Sequence, residues 1–540
     1  MTLPLRFPAT ELPPPTERPA RALALWLGLG VIAVVLAAIP STLFDLDRFG
    51  APKELALHLT ALGAVILMLR RAPARISVTV AEVPLYAFGL WTALSALLAT
   101  NRWLSMRALA VTLAGLVLFR AARRVSATGA GNWLLPALVL ALVLGALTGL
   151  AQAYGFEPEL LAESRAPGGT LGNRNFLAHL MAIGAPIAGL LVLEARGPRR
   201  AALFAGGLGL MLGALVLTRS RAAYLGVTAG AIVMGLAWLA ARLAGRRFIP
   251  MGRPRLMVAA VLLVTTGALL LPNRLTWRSA SPYRDTMRDL ANYQEGSGRG
   301  RIIQYRNSLK LLGHDPIFGA GPGNWPVAYP RVTTPGDPSF AGADPMPTNP
   351  WPSSDWIAML TERGAAGTLL LLLSFAAMAL VAFRRLTSDD AAEARRALAL
   401  LGVLAATVVT GAFDAVLLLA PPTAVVWVAL GLLLPATGSV GELPRRTGRW
   451  MVPLLGLGLS AAALRSTGQI RAIQLAGPGW PVERLERAVR YDPGSYRLHL
   501  MIAQRTPCHR AVPHAAAAAA LYPELPAPKR RLRACGLAGR

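Results

Sequence analysis

The chain has 540 residues, of which 54% are hydrophobic and only 15% are charged, and its mean hydropathy is +0.47. A soluble domain carries about 25% charged residues, so this composition excludes an ordinary soluble protein and predicts a polytopic membrane protein. The formal net charge of +28 would suit a nucleic-acid binder, but the positions of the arginines argue against that class.

The first 21 residues are polar and rich in proline, and Arg6, Arg18 and Arg21 precede the first apolar segment. Many apolar segments follow, so we expect the first one to stay as a signal anchor and not to be cleaved. Residues 1–21 are therefore predicted to form a cytoplasmic tail.

About 13 apolar segments have the length of a membrane span, which needs roughly 20 residues. Nine of them fall in residues 22–271 and four in 364–465, on either side of a long polar loop, 272–363. The fold class is therefore all-α, a polytopic membrane protein. The predicted spans are 22–44, 54–70, 80–99, 103–121, 132–153, 176–195, 201–217, 222–241, 256–271, 364–383, 397–419, 423–438 and 450–465.

The loops between these spans alternate in charge. One set carries clusters of arginine, and the positive-inside rule places that set in the cytoplasm, with the N-terminus inside and the C-terminus outside. This arrangement accounts for much of the positive charge without a nucleic-acid partner. The other set is predicted to face outward and comprises 45–53, 100–102, 154–175, 218–221, 272–363, 420–422 and the tail after about 466.

Residues 466–540 differ in composition from the spans. Alanine-rich amphipathic segments alternate with the turns YDP and YPE, which resembles tetratricopeptide helix pairs. Cys508 is predicted to begin the third short helix and Cys535 to end the fourth. In an oxidising exterior compartment these two ends of a hairpin would form a disulfide, and the alternative is two unrelated buried thiols.

Four outward arginines are candidates for binding phosphate groups. Arg174 directly precedes a span, Arg219 and Arg221 lie in the turn TRSR, and Arg301 begins a predicted helix in the long loop. Guanidinium groups bind phosphate with two parallel hydrogen bonds, so this cluster would suit a diphosphate. The alternatives are a membrane-interface anchor for Arg174 and ion pairs with acidic residues of the long loop for Arg219 and Arg221.

Other polar residues of the long loop have both a structural and a functional interpretation. His314 beside Asp315 would act as a base or mark a helix end, and the glycine-rich segment after it predicts a tight turn that approaches a ligand or the membrane. Asp355 would be a catalytic carboxylate or a residue of a helix first turn behind an N-cap, Ser353 or Ser354.

The sequence contains no pair of histidines at metal-ligand spacing and no Asp-x-Asp motif, so we expect neither a metal nor a cofactor. Asp414 is the clear acid inside the predicted span 397–419. It would pair with an arginine of the outward cluster or mark an ion path.

Several of these segments together resemble the O-antigen ligase and O-antigen polymerase superfamily. The likeness rests on GNRN before a span, the SRA turn, and the run RIIQYRNSLKLLGHDPIFGAGPGNW that leads to LTERGAAG. It extends over residues 165–420.

The resemblance implies an inverting, metal-independent glycosyltransferase that moves a glycan from undecaprenyl diphosphate to an acceptor on the periplasmic face of the bacterial inner membrane. The implied acceptor is lipid A-core or a protein, and the tail 466–540 would recruit a protein partner. By motif, the diphosphate ligands are Arg174, Arg221 and Arg301. The family's histidine near the acceptor corresponds to Ser353, so the base would be Asp355 or His314, or the acceptor would differ.

Three alternatives stay open. A polysaccharide polymerase of the same superfamily would use another acceptor. A transporter of lipid-linked glycan would show internal repeats and broken helices at mid-membrane, which the sequence does not display. A non-catalytic scaffold is compatible with Ser353 in place of histidine.

Overall fold

The computed structural model describes most of the chain, and all structural statements below concern that part. It comprises residues 17–41, 47–69, 76–161, 165–244, 254–277, 279–289, 296–334, 337–340, 350–435, 438–443, 445–477 and 479–537. Several predicted features fall outside it, namely most of the N-terminal tail and the side chains of Arg70, Arg71, Arg75, Arg246, Arg247, Arg253, Arg445, Arg446 and Arg449.

The described residues are almost entirely helical. The helices are α1 (Glu17–Leu36), α2 (Asp47–Leu69), α3 (Glu82–Leu98), α4 (Arg102–Ser126), α5 (Gly131–Ala153), α6 (Arg174–Glu194), α7 (Pro198–Thr218), α8 (Arg221–Leu243), α9 (Pro254–Leu270), α10 (Pro282–Arg288), α11 (Gly296–Leu309), α12 (Trp325–Ala328), α13 (Asp355–Arg385), α14 (Ala391–Phe413), α15 (Ala420–Leu433), α16 (Arg445–Leu475), α17 (Val482–Tyr491), α18 (Tyr496–Arg505), α19 (Cys508–Leu521) and α20 (Pro526–Ala534). Two strands, β1 (Ile76–Thr79) and β2 (Ser439–Leu443), form an antiparallel pair.

A helix lies at each of the 13 predicted spans. In the described part of the chain, nine helices are long and apolar enough to cross a membrane, namely α1, α2, α4–α8, α13 and α14. Helices α3, α9 and α15 are apolar but shorter, and α16 continues past its predicted end to Leu475. The prediction of an all-α polytopic membrane protein is confirmed.

The helices pack into one bundle around α15. Every residue of α15, from Ala420 to Leu433, is buried, because α4, α14, α2, α6, α1 and α5 all contact it. A short helix that is apolar on all sides is stable only when it is enclosed in this way. Helix α15 therefore belongs to the centre of the bundle and not to its lipid-facing rim.

The bundle has two chemically different ends. At the arginine-rich end, β1 pairs with β2, and the buried carboxylate of Glu82 lies 3.3 Å from Arg120 and 3.7 Å from Arg123. At the other end, which we call the loop end, residues 47–53, 100–102, 154–161, 165–175 and 218–221 meet the long loop and the tail.

The glycine-rich segment after His314 packs against protein. Gly319, Gly321 and Gly323 all have positive φ, and a Cβ at Gly319 would lie 2.4 Å from the backbone of Glu362. The segment therefore approaches the backbone of α13, and the expected approach to a ligand or the membrane is wrong for Gly319. Helix α13 is itself interrupted at Gly364, where φ is +69° and the carbonyl of Ile317 fills the space of a side chain.

The tail, 482–534, forms four short helices that are docked onto the loop end. Helices α17 and α18 share an apolar cluster with α16 and with Ala51 of α2, and α18 and α20 pack with Val327 and Leu104. Cys508 begins α19, Cys535 follows α20, and the two are joined in a disulfide. The tail is thus a structural part of the loop end.

Candidate functional site: an arginine-lined cavity

The four candidate arginines lie together. Arg174, Arg219, Arg221 and Arg301 line one cavity of about 330 Å³ at the loop end. They come from three separate segments: the start of α6, the turn between α7 and α8, and the first half of α11. All four side chains are half-buried, so they are held in place and still reach the cavity.

The turn between α7 and α8 is built to present Arg219. This residue ends α7 with φ of +56° and ψ of +26°, the left-handed region that a residue other than glycine seldom adopts. Its Nε donates a hydrogen bond to Thr286 Oγ1 at 2.8 Å. Unfavourable backbone conformations persist where the surroundings enforce them, frequently at functional sites.

Trp277 lies against two of the arginines. The Cζ atom of Arg174 is 4.9 Å from the centre of its ring, and that of Arg219 is 4.7 Å away. A cation near the face of an indole is stabilised by about 0.5–2 kcal/mol. The ring therefore helps to hold two like charges beside each other.

The backbone adds to the positive potential of the cavity. Arg174 is the first residue of α6 and Arg221 is the first residue of α8, and the N-terminal end of a helix carries about half a positive charge. Asn175 and Ser220, in the same two helix starts, also line the cavity. Guanidinium groups and helix N-termini are both favourable sites for phosphate.

The alternative that these arginines form ion pairs finds limited support. Arg221 donates to the backbone carbonyl of Asp289 at 2.6 Å, and Asp289 is the one carboxylate among the described residues that line the cavity. In the described chain, no ion pair is formed by Arg174, Arg219 or Arg301. The cavity thus has a large excess of positive charge.

Helix α11 connects the cavity to Ser353. Arg301, Gln304 and Tyr305 lie on one face of this helix, three and four residues apart. Gln304 Oε1 accepts a hydrogen bond from the backbone N–H of Ser353 at 2.7 Å, and the Tyr305 hydroxyl donates to the Ser353 carbonyl. Ser353 is therefore held by the same helix that carries the cavity residue Arg301.

Asp355 has a structural role at the start of α13. Ser354 is the N-cap of α13, as predicted, and Asp355 is fully buried behind it. Its two carboxylate oxygens accept the backbone N–H groups of Val416 and Leu417, each at 2.9 Å. These bonds tie α13 to the turn between α14 and α15, and Asp355 lines neither the arginine cavity nor a second cavity at the loop end.

Asp414 lies closer to the cavity than Asp355 does. It is half-buried at the end of α14, and its Oδ2 accepts a hydrogen bond of 3.4 Å from Asn175 Nδ2. Its other oxygen accepts the backbone N–H of Ala415 at 2.9 Å. The expected pairing of Asp414 with an arginine is replaced by this contact with the cavity residue Asn175.

His314 has the structural role that its sequence context suggested. It is exposed and ends a 3-10 turn that covers Lys310–Gly313, where its N–H donates to the carbonyl of Leu311. It lines neither cavity.

Four further residues at the site were not predicted from the sequence, namely Asn175, Trp277, Thr286 and Asp289. Asn175 is adjacent to Arg174 and had a local signal, whereas the other three lie in a polar loop without a motif. Only the packing of that loop over the α7–α8 turn shows their position.

The comparisons with known proteins give one family match. No curated protein shows a significant match to the chain. A family model described as O-antigen ligase matches residues 206–372, which include three of the four arginines. The matched region runs from α7 through the long loop into α13, and it supports the resemblance of the chain to the O-antigen ligase superfamily.

Proposed function

We propose that this protein transfers a glycan from undecaprenyl diphosphate to a lipid or protein acceptor on the periplasmic face of the bacterial inner membrane. The observation that carries the proposal is the convergence of four arginines and two helix N-termini on one cavity, inside a chain that resembles the O-antigen ligase superfamily. The N-terminus would be cytoplasmic and the tail periplasmic.

The cavity suits the leaving group of such a reaction. An acceptor oxygen attacks the anomeric carbon from the face opposite the diphosphate, a new C–O bond forms, and the bond from that carbon to the diphosphate oxygen breaks with its electron pair. Negative charge grows on the diphosphate, and fixed guanidinium groups stabilise it more in the transition state than in the ground state. The configuration at the anomeric carbon is inverted.

The acceptor hydroxyl loses a proton in this step. We assign the proton-accepting role to Asp414, since its carboxylate contacts the cavity residue Asn175, whereas both oxygens of Asp355 already accept backbone N–H groups. The hydroxyl of Ser353 is not a base near neutral pH. In this proposal, Ser353 and Asp355 shape the site and Asp414 takes the proton.

A transporter is less well supported. Its binding groups would lie at mid-membrane between broken helices. The arginine cavity lies instead at the ends of α6, α7 and α8, where a headgroup of a lipid-linked substrate would be.

The decisive experiment replaces Arg221 by alanine in the full-length protein in its native membrane. We expect loss of glycan transfer by about 10²–10³-fold, the cost of removing one charge-stabilising donor. Arg299→Ala is the matched control, because Arg299 is exposed and lies two residues from Arg301 on α11. Transfer at the wild-type level by a normally inserted Arg221→Ala protein would refute the proposal.

The lipid-linked glycan that accumulates in a deletion strain distinguishes a ligase from a polymerase. Accumulation of full-length glycan on the carrier lipid indicates a ligase, and accumulation of single repeat units indicates a polymerase. No change in any lipid-linked glycan would support a scaffold.

A further inference from the structure

A second cavity lies at the loop end and has a different composition. Its volume is about 440 Å³, within the range of small-molecule sites. Its walls come from α2, α4, α6, α13, α16 and the turn before α15, and the tail supplies part of its lining through Asp492, residues 494–497 and Tyr522. We call it the tail-roofed cavity.

The tail is fixed over this cavity by specific bonds. Trp103 Nε1 donates to Asp492 Oδ1 at 2.9 Å, and Asn101 Nδ2 donates to the carbonyl of Leu521 at 3.1 Å. Gly494 lies against the Trp103 ring, where a Cβ would come within 1.9 Å of it. The roof therefore has a defined position relative to the membrane helices.

The charges of the tail-roofed cavity nearly cancel. Its lining includes five cations and four carboxylates. Arg107 forms hydrogen bonds of 2.8 and 2.9 Å with both oxygens of Glu54 and lies 3.6 Å from Asp47. Arg363 lies 3.1 Å from Glu362, whose carboxylate also accepts the N–H of Gly323. Much of the positive charge is therefore already neutralised by carboxylates, which makes this cavity a poor site for a second diphosphate.

The same cavity is rich in aromatic side chains. Phe49, Trp103, Phe176, Trp351, Tyr496 and Tyr522 all line it. Aromatic rings that alternate with paired charges offer apolar faces beside many hydrogen-bond donors and acceptors. An uncharged molecule with many hydroxyl groups satisfies both kinds of surface, whereas an alkyl chain would leave the polar groups without water.

The two cavities are neighbours. Asn175 lines the arginine cavity and Phe176, the next residue of α6, lines the tail-roofed cavity. Asp414 accepts a hydrogen bond from Asn175, and Leu417, three residues after Asp414, lines the tail-roofed cavity. A saccharide bound in the second cavity would thus lie beside the group that we assign as proton acceptor.

We propose that the tail-roofed cavity binds an uncharged saccharide segment and that the tail completes this site. This inference rests on the proposed transferase function. The saccharide belongs either to the acceptor or to the glycan of the donor, since both present the same chemistry.

The test uses photoreactive benzophenone side chains in the full-length protein in native membranes. One replaces Arg497, which is exposed and lines the tail-roofed cavity, and one replaces Asp289, which lines the arginine cavity and has a side chain that is 41% exposed. The matched control position is Glu483 in α17, whose side chain is 69% exposed. After illumination, mass spectrometry identifies what each position has captured.

We expect a carbohydrate-bearing adduct at position 497 that is absent at 483. Capture of phospholipid acyl chains alone at 497, or no more capture there than at 483, would overturn the inference. Position 289 reports on the proposed function independently, because it should capture polyprenyl diphosphate whatever happens at 497. In cells that cannot make the lipid-linked glycan, an adduct that persists comes from the acceptor and one that disappears comes from the donor.

A kinetic measurement complements the capture experiment. Asp492→Asn keeps the shape of the side chain and removes its charge. We expect it to raise the KM for the acceptor, or for the donor if the donor glycan is the occupant, by up to about tenfold, the effect of one hydrogen bond to a charged group. An unchanged KM for both substrates would contradict a saccharide site at this position.

Discussion

The arginine cavity and the tail-roofed cavity lie side by side and treat charge in opposite ways. The first brings together Arg174, Arg219, Arg221 and Arg301 with one carboxylate. The second brings together nine charged residues that largely neutralise one another. Clustered arginines at a membrane surface can therefore bind an anionic ligand or form ion pairs within the protein. The difference lies in whether the protein itself supplies the anions.

This difference determines what a substitution should do. Where the protein supplies the partner, loss of an arginine leaves a buried carboxylate without compensation, and the fold is destabilised. Where the ligand supplies the partner, the same loss removes repulsion between like charges and leaves the fold intact. Arg301→Ala, which removes a cavity arginine that forms no ion pair in the described chain, should therefore give a stable but inactive protein.

Among substitutions that keep the positive charge, Arg221→Lys is expected to have the largest effect on the rate of glycan transfer. Lysine keeps the positive charge but loses the planar pair of donors that matches a phosphate. We expect transfer to fall by at least about tenfold, corresponding to the loss of one of two charge-assisted hydrogen bonds. The initial rate of glycan transfer in membrane vesicles measures this, and full activity would show that only net charge matters in the arginine cavity.

The largest expected effect on stability comes from Arg107→Leu in the tail-roofed cavity. The change leaves Glu54 without its partner, and breaking a buried pair costs about 3–5 kcal/mol. We expect the lower end of that range, because the Arg107 side chain is 24% exposed. Thermal unfolding in detergent measures the loss. A double variant, Arg107→Leu with Glu54→Leu, should recover much of the stability, and its failure to do so would contradict the pairing argument.

An intermediate effect is expected at Trp277. Trp277→Leu removes the ring beside Arg174 and Arg219, an interaction of about 0.5–2 kcal/mol. Transfer should fall several-fold through a higher KM for the donor, while the KM for the acceptor stays constant. Equal changes in both KM values would indicate general disruption and not a positioning role in the arginine cavity.

The smallest expected effect concerns pH and the tail. His499 Nδ1 and His514 Nδ1 are 3.0 Å apart, and burial lowers the pKa of both rings, with Asp492 and Glu486 opposing and Arg510 reinforcing the shift. A lowered pKa in the folded state means that stability is complete above the ordinary value of about 6.5 and decreases as the pH falls below it.

We therefore expect the tail to be released more readily at pH 5.5 than at pH 7.5. Limited proteolysis at the two pH values measures this release. The variant His514→Gln should lose most of the difference, whereas the exposed His509→Gln should keep it. The same pH dependence in both variants would show that the histidine pair does not contribute.

Much of this architecture was predictable from hydropathy. The 13 apolar segments coincide with helices, because long apolar runs need internally bonded backbone in a membrane. The four arginines were predictable from their position on the side that is normally poor in positive charge. Trp277, Thr286 and Asp289 were not predictable, since their place depends on how an irregular loop folds over distant helices.

The tail-roofed cavity also depends on contacts between distant segments that the sequence does not reveal. Glu54 and Arg107 lie 53 residues apart in two different apolar segments, and each alone indicates only an unusual charge near a span. Their pairing follows from the contact between α2 and α4. Asp355 is the opposite case, because its capping position was visible in the sequence and the structure gives it a fixed bridging role.

The short pairing of β1 with β2 has a consequence for biosynthesis. The Ser439 hydroxyl contacts the Val78 carbonyl across 361 residues of chain, between the first spans and the last ones. After β1 has been synthesised, the ribosome must still make ten predicted spans before β2 emerges. The two strands at the arginine-rich end can therefore pair only after nearly all of the membrane helices have been made, and a chain truncated before β2 would leave the edge of β1 unpaired.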